Sequence, residues 1–278
     1  ITGQIVATDA ARLSGQSSLQ DNQVQIDSTI YKTGGLNVRN LLGYNVTAYA
    51  KENDSGDAQL IMVRVNDTRN QTLTVKAENM QDFVDNNGRL TFEYWVNKDT
   101  DRKVSTALMD DEVTLIYNGK AADLENLVIP QDGGVTLLDT NKDDLYDIIF
   151  ITNFENLVVD SKSAISYTIL DKFGNPSLVL DPENEDIKFT IVDKDGNPVD
   201  FDEIEEWDVL SYTKSLDGEL IDVVVVKDSV AGKVTEISSD DKYTIAGKEY
   251  KLANNFEDEI SILTEGIFYL DANGNIAA

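Results

Sequence analysis

The chain has 278 residues, and its 51 acidic and 23 basic side chains give a formal net charge of −28 with neither His nor Cys. A field of that sign repels nucleic acid and anionic lipid, so neither is expected as a partner. Without His and Cys there is no thiol nucleophile, no Ser-His-Asp triad, no disulfide framework, and no zinc, haem or iron–sulfur centre built on those ligands. Hydrophobic residues make up 41% of the chain, enough to fill cores. No apolar run approaches the ~20 residues that span a bilayer, so no membrane insertion is expected. The opening Ile1-Thr2-Gly3 has no initiator Met, basic n-region or apolar h-region. It reads as the start of a segment whose signal peptide and anchor lie elsewhere in a longer protein.

Taken in chain order, the predicted elements are short strands separated by polar turns. Gly3-Gln4-Ile5-Val6 opens a strand, Ile26 to Lys32 holds a second strand pattern, and Tyr44 to Tyr49 and Gln59 to Val65 follow. Leu73 to Ala77, Leu90 to Val96, Glu112 to Tyr117, Val135 to Leu138 and Tyr146 to Thr152 continue the series. Asn156 to Val159, Ile165 to Leu170, Ile187 to Val192, Trp207 to Tyr212, Ile221 to Val226 and Lys242 to Ile245 complete it. Many alternate polar and apolar residues, the period of a strand with one buried face. Helical periodicity is limited to a turn or two at Val38 to Leu42, Asn79 to Val84, Ala121 to Leu127 and Asp202 to Trp207, too short to stand alone. Asn86-Asn87-Gly88 and Asp217-Gly218 are hairpin tips, and Asp171 to Pro176, Asp193 to Pro198 and Asp271 to Asn275 are three versions of one turn. In each, Gly supplies positive φ and the leading Asp can accept hydrogen bonds from the turn backbone.

Phrases also recur at long range. Gly3-Gln4-Ile5-Val6 is echoed by Gly232-Lys233-Val234-Thr235, and Ile26 to Lys32 by Ile245 to Lys251. Tyr44 to Tyr49 is echoed by Trp207 to Tyr212, each followed by a Gly turn (Gly56, Gly218) and an apolar strand. Such self-similarity marks an array of small units. The expected fold is all-β: several small antiparallel modules, barrel-like or sandwich-like, in tandem with a few helical turns. The repeats place the modules at 1–67, 68–147, 148–229 and 230–278. The third is a partial repeat of the first. The last shows no closing strand after Asn275, which points to a truncated copy or to a strand supplied by a partner.

The strongest metal candidate is the loop from Asp139 to Asp147. Asp139, Asn141, Asp143 and Asp147 stand at loop positions one, three, five and nine, where oxygen ligands converge on Ca²⁺. The turn position that calls for Gly is Asp144, and the twelfth, which calls for a bidentate Glu, is Phe150. The competing expectation is an acidic turn between two strands, with no cofactor. Glycosidase-type paired carboxylates have no nameable neighbourhood to tune them, so no catalysis is expected. The rings of Phe92, Tyr94 and Trp95 suit either a core or a sugar-stacking strip. Asn45, Asn66 and Asn70 each open an Asn-x-Thr sequon, best explained by chance.

The phrases Val113 to Lys120, Val135 to Asp139, Tyr146 to Ile151, Glu206 to Ser211 and Gly232 to Ile237 together resemble the non-anchoring, β-rich region of Gram-positive cell-surface proteins that carry S-layer homology domains. The resemblance covers most of the chain in scattered phrases, with no anchoring repeat. It implies an extracellular, cell-surface location, a structural or presentation role without chemistry, and partners among other surface proteins, copies of the chain itself, or cell-wall polysaccharide. The alternative is a carbohydrate-binding surface module.

Overall fold

The structure, a computed structural model, describes residues 1–15, 19–52 and 56–278. The chain is all-β, with 51% of residues in strands and 4% helical, the helical part lying in short 3-10 turns. These turns, at Arg39–Leu41, Ala77–Asn79, Leu124–Asn126 and Phe201–Glu203, fall in or beside the four expected helical stretches. The expectation at Asn79 to Val84 is corrected: Met80, Phe83 and Val84 have helical spacing, but Met80 to Asn86 pair as a strand with Arg89 to Tyr94, and only Asn79 lies in the 3-10 turn before it. The chain folds as two compact units, 1–153 with 215–217, and 154–214 with 218–278. Each unit holds two of the four sheets among the described residues.

The first sheet is a closed barrel of β1 (Thr2–Thr8), β2 (Gln23–Ile26), β3 (Thr29–Lys32), β4 (Asn45–Glu52) and β5 (Ala58–Val65), in the order β1-β2-β3-β5-β4. Alternation sends Ile5, Val24, Ile26, Val46, Ala48 and Leu60 into one core. The expected all-antiparallel pairing needs correction. A closed ring with an odd number of strands cannot alternate direction all the way round, and here β3 and β5 run parallel, meeting at Lys32 and Gln59. The register of β1 against β2 skips between Ile5 and Ala7, leaving Val6 as a bulge. Bulges bend a strand and raise its twist, which a small closed ring requires.

The other three sheets follow the same circuit with local departures. The second contains β6 (Gln71–Lys76), β7 (Met80–Asn86), β8 (Arg89–Tyr94), β9 (Ser105–Tyr117), β10 (Lys120–Ala122), β11 (Gly133–Asp139) and β12 (Tyr146–Asn153). Its order is β6-β11-β12-β9-β8-β7, which is the five-strand circuit with strand one broken by the 3-10 turn at Ala77–Asn79 and β10 added beside β9. The third contains β13 (Glu155–Ser163), β14 (Thr168–Asp171), β15 (Leu178–Val179), β16 (Lys188–Asp193), β17 (Val209–Lys214) and β18 (Leu220–Val226). Its order, β15-β14-β13-β17-β18-β16, is the same circuit with strand three broken in two. The parallel pairing recurs as β9 with β12 and as β16 with β18. The fourth contains β19 (Ser229–Ile237), β20 (Tyr243–Ile245), β21 (Lys248–Tyr250) and β22 (Glu265–Tyr269), in the order β21-β20-β19-β22. Ile276 takes the fifth-strand position, bridging Leu252 in parallel and Leu270 antiparallel. Residues after Asn275 thus begin a closing strand. A module edge expected at 147 falls inside β12, which closes the second circuit.

The copies agree residue by residue. The strand-one bulge falls between Ile5 and Ala7, Met80 and Asp82, Val159 and Ser161, and Val234 and Glu236. The residue before it is buried in every copy: Ile5, Met80, Val159 and Val234. In three copies the residue two positions before strand four has positive φ: Gly43 (89°), Trp207 (73°) and Leu263 (77°). Each donates its N–H to the carbonyl of the pre-bulge residue, at 2.8 Å, 2.9 Å and 2.9 Å. The expected echo of Tyr44 to Tyr49 by Trp207 to Tyr212 therefore matches the right strand one residue out of frame. Gly43, not Tyr44, corresponds to Trp207. Strand four of the fourth copy, which follows Leu263, carries no sequence echo at all.

Within the third copy, Tyr212 packs among Leu157, Leu210 and Ile221. Its hydroxyl donates to Glu155 Oε2 at 2.7 Å. Burial first, then the Glu155 carboxylate, pushes this phenol well above its ordinary range. A raised pKa in the folded state contributes stability that is complete below the unfolded value, ~10, and is lost as pH rises beyond it. Urea midpoints measured through this alkaline range should fall. Tyr212→Phe should flatten the fall, with Tyr44 and Tyr146, also raised by burial, supplying the remainder.

Candidate functional site

The acidic turns are built alike. Asp193 Oδ1 accepts the N–H groups of Asp195 (2.9 Å) and Asn197 (2.8 Å), and its Oδ2 accepts Asn197 Nδ2 at 2.9 Å. Asp271 repeats this with Asn273 (2.9 Å), Asn275 (2.8 Å) and Asn275 Nδ2 (3.3 Å). Asp171 Oδ2 accepts Phe173 (2.8 Å), Asn175 (3.0 Å) and Asn175 Nδ2 (3.1 Å). The carboxylate stands in for the strand partner that a turn cannot have. At Asp193 these bonds, led by that from Asn197, hold the carboxyl below the usual range.

The loop singled out for a cation belongs to the same class. Asp139 is fully buried, 0% exposed. Its Oδ1 accepts the N–H groups of Asn141 (3.0 Å) and Lys142, and its Oδ2 accepts Asp144 N–H at 3.2 Å. Asn141 Oδ1 accepts Asp143 N–H at 2.8 Å, and Asp143 Oδ1 accepts Leu145 N–H at 3.0 Å. Asp147 Oδ2 accepts both the N–H (2.6 Å) and the hydroxyl (2.8 Å) of Thr140. The four predicted ligands thus lie in one loop, but each turns an oxygen onto the loop's own donors. Among the described residues no group of three or more acidic side chains is arranged to hold a metal ion.

The position of these turns in the circuit gives them a role. Asp139 to Asp147 is the hairpin between strands four and five of the second module, and Asp271 to Asn275 is the same hairpin of the fourth. Each lies on the module before it. In the first unit, Leu138, Ile148 and Phe150 enter the core of the barrel. Tyr44 and Phe150 stack with centroids 5.6 Å apart, and Asn45 Nδ2 donates to Thr140 O at 3.1 Å. Gly43 fits here because a Cβ on it would lie 2.5 Å from Ile148 Cδ1. In the second unit, Trp207 stacks on Tyr269 at 4.9 Å. Val158, Val209 and Val226 pack with Ala253 and Ala277. Ser211 Oγ accepts the Ala272 N–H at 3.0 Å, and Asn156 Nδ2 reaches Asp271 Oδ2 at 3.4 Å. Two joints, one in each unit, are therefore made from the same parts: the start of strand four on one module and the four–five hairpin of the next.

Two of the three sequon asparagines are joint residues. Asn70 Nδ2 donates to the carbonyls of Asn45 (2.7 Å) and Asn66 (3.0 Å), while its Oδ1 accepts Asn45 N–H at 3.0 Å. Asn45 and Asn70 are both buried. The aromatic cluster is likewise structural: Phe92 is buried and stacks between Phe83 (4.6 Å) and Tyr94 (5.5 Å). Lys172 sits between two carboxylates. Its Nζ meets Glu206 at 2.6 Å and Asp160 at 3.1 Å, 4.2 Å from the centre of the Trp207 ring. The bond to Glu206 leads in raising its pKa, so the amine is held charged, the opposite of what an amine nucleophile needs. Sequence spacing missed the joints because their two halves lie far apart in the chain, 115 residues for Asn156 and Asp271, and share no motif.

No protein-family model, curated protein or solved structure matches the chain.

If the buried turn carboxylates act as hydrogen-bond acceptors, truncating one strands several backbone N–H donors. Asp139→Ala and Asp271→Ala should each destabilise the chain by about 2–4 kcal/mol. Thermal melts with and without millimolar Ca²⁺ check this. The loss should be the same in both; a Ca²⁺-dependent rise in midpoint that vanishes in Asp139→Ala would instead establish a cation at that loop.

Proposed function

We propose that the chain is a structural or presentation element of a cell surface: a tandem array of small β modules, without catalysis, that holds a shape and carries a dense negative charge. The observation that supports this most is the fourfold use of one five-stranded circuit, with a hairpin-on-strand joint repeated within each unit. Repetition of a scaffold with packed joints transmits position along a chain, and it leaves the chemistry-bearing positions of each copy different. The buried polar side chains support the same proposal. Asp139, Asp271, Asn45, Asn70, Asn156 and Ser211 are buried and bonded to turns and joints. Absence of Cys and His suits a surface exposed to oxidants and metals, and a charge of −28 keeps such an array hydrated and soluble. The extracellular location and the link to S-layer-type proteins rest on the sequence resemblance. Among the described residues no helix is long and apolar enough to cross a membrane.

Labelling of intact source cells with a membrane-impermeant amine reagent tests the location. The lysines should react on whole cells and be removed by external protease. Labelling that requires lysis would refute a surface role.

A further inference from the structure

The chain contains three Asn-Gly pairs, Asn87-Gly88, Asn118-Gly119 and Asn273-Gly274. Such a pair can react within itself. The glycine nitrogen attacks the asparagine Cγ, and glycine carries no side chain to obstruct the approach. Reaction needs an amide free to swing and an acceptor for the glycine N–H proton. Asn118 lacks that freedom: it is buried, its Oδ1 accepts the Asn153 N–H at 2.8 Å and its Nδ2 donates to Asn153 O at 3.3 Å. At Asn273 the acceptor is unsuitable. The Gly274 N–H donates to the carbonyl of Asp271 at 3.0 Å, and a neutral carbonyl is no base.

Asn87-Gly88, at the tip between β7 and β8, differs on both counts. Asn86, Asn87 and Gly88 are exposed, and a Cβ placed on Gly88 would meet nothing within 4 Å. The Asn87 amide donates to the side chain of its exposed neighbour Asn86 at 3.2 Å. The Gly88 N–H donates to Asp85 Oδ1 at 2.7 Å, so a carboxylate already holds the proton that must leave. The two demands do not compete. A peptide nitrogen attacks through its π face, at right angles to the peptide plane, while its N–H lies in that plane.

We infer that Asn87 is a site of self-modification, at which the chain converts this amide to a carboxylate with Asp85 as the proton acceptor. The bond from Gly88 N to Asn87 Cγ forms as the N–H proton passes to Asp85. The Cγ–Nδ2 bond then breaks, Asp85 returns the proton, and ammonia departs from a five-membered imide. Water opens the imide at either carbonyl, giving aspartate or, with the main chain rerouted through Cγ, isoaspartate. Nothing is oxidised or reduced. Either product adds a negative charge close to Asp85. Isoaspartate also lengthens the two-residue loop that sets Asn86 opposite Arg89. The modified fraction therefore rises with time since folding. This inference rests on local geometry and is independent of where the chain resides or what it assembles with.

Peptide mass spectrometry on the whole folded chain, held for weeks near neutral pH, tests it. Asn87 should convert to aspartate and isoaspartate about tenfold or more faster than Asn118 and Asn273. In concentrated urea, where the fold no longer separates them, the three rates should converge. Asp85→Ser keeps an acceptor for the turn but removes the base. It should slow Asn87 by about tenfold or more in the folded chain and leave its rate in urea unchanged. Asp85→Glu, which retains a carboxylate, should keep much of the wild-type rate. Asp85 is exposed, and circular dichroism confirms that the variants fold; the comparison of the three pairs in wild type needs no variant. An Asn87 that reacts no faster in the folded chain than its two counterparts, or as fast in Asp85→Ser as in wild type, overturns the inference.

Discussion

Closure of a five-stranded ring is the constraint on which everything else here depends. Five strands cannot alternate direction around a circle, so two neighbours run parallel, and the strand opposite that seam must bend to reach both of its partners. The bulge after Ile5, Met80, Val159 and Val234 provides the bend. Burial of the preceding side chain fixes where the bend falls, because a slip of one residue would turn every apolar side chain of the strand outward. A buried pre-bulge residue and a bulge of indifferent identity are thus the minimum specification of a module. Val6, Gln81, Asp160 and Thr235 at the bulge have nothing in common chemically.

The second level of organisation follows from the first. Closing the ring through a four–five hairpin leaves that hairpin projecting, with a tight turn whose backbone donors need partners. In modules two and four the turn meets its own need with a fully buried aspartate and then rests on the neighbouring module. Polar and apolar contributions are divided differently in the two joints. The first uses Asn45, Asn70 and a glycine that admits Ile148; the second uses a Trp–Tyr stack and Ser211. Geometry is shared and residue identity is not, so backbone placement rather than particular side chains defines the joint.

Much of the architecture was legible in the chain. Period-two alternation located most strands, and Asn87 and Gly88, both at positive φ, form the expected tip between β7 and β8. The echo between Ile5 and Val234 proved to be a true register match. What stayed hidden was hidden for physical reasons. Parallel pairings such as Ile149 with Leu115 join strands through long connections and leave no short-range mark. Strand four of the last module, Glu265–Tyr269, fills the place of Asn45–Glu52 with different residues, since backbone pairing fixes it. The Asp139 loop was picked out by its oxygen spacing, and the same spacing serves the loop's own backbone N–H groups. The sequons at Asn45 and Asn70 carried a structural signal that spacing could not reveal: amides placed to staple a linker.

The different places at which the copies break their strands carry one further consequence. Neighbouring modules built on one circuit invite strand exchange while the chain is still folding, because a hairpin from one copy can complete the circuit of the next. In this chain strand one is interrupted at Ala77–Asn79 in the second copy, strand three is divided between β15 and β16 in the third, and β10 is added beside β9. These irregularities make each circuit a poor acceptor for another's strands. They act as proofreading built into topology, which lets one blueprint be used repeatedly along a polypeptide with less risk of its copies tangling.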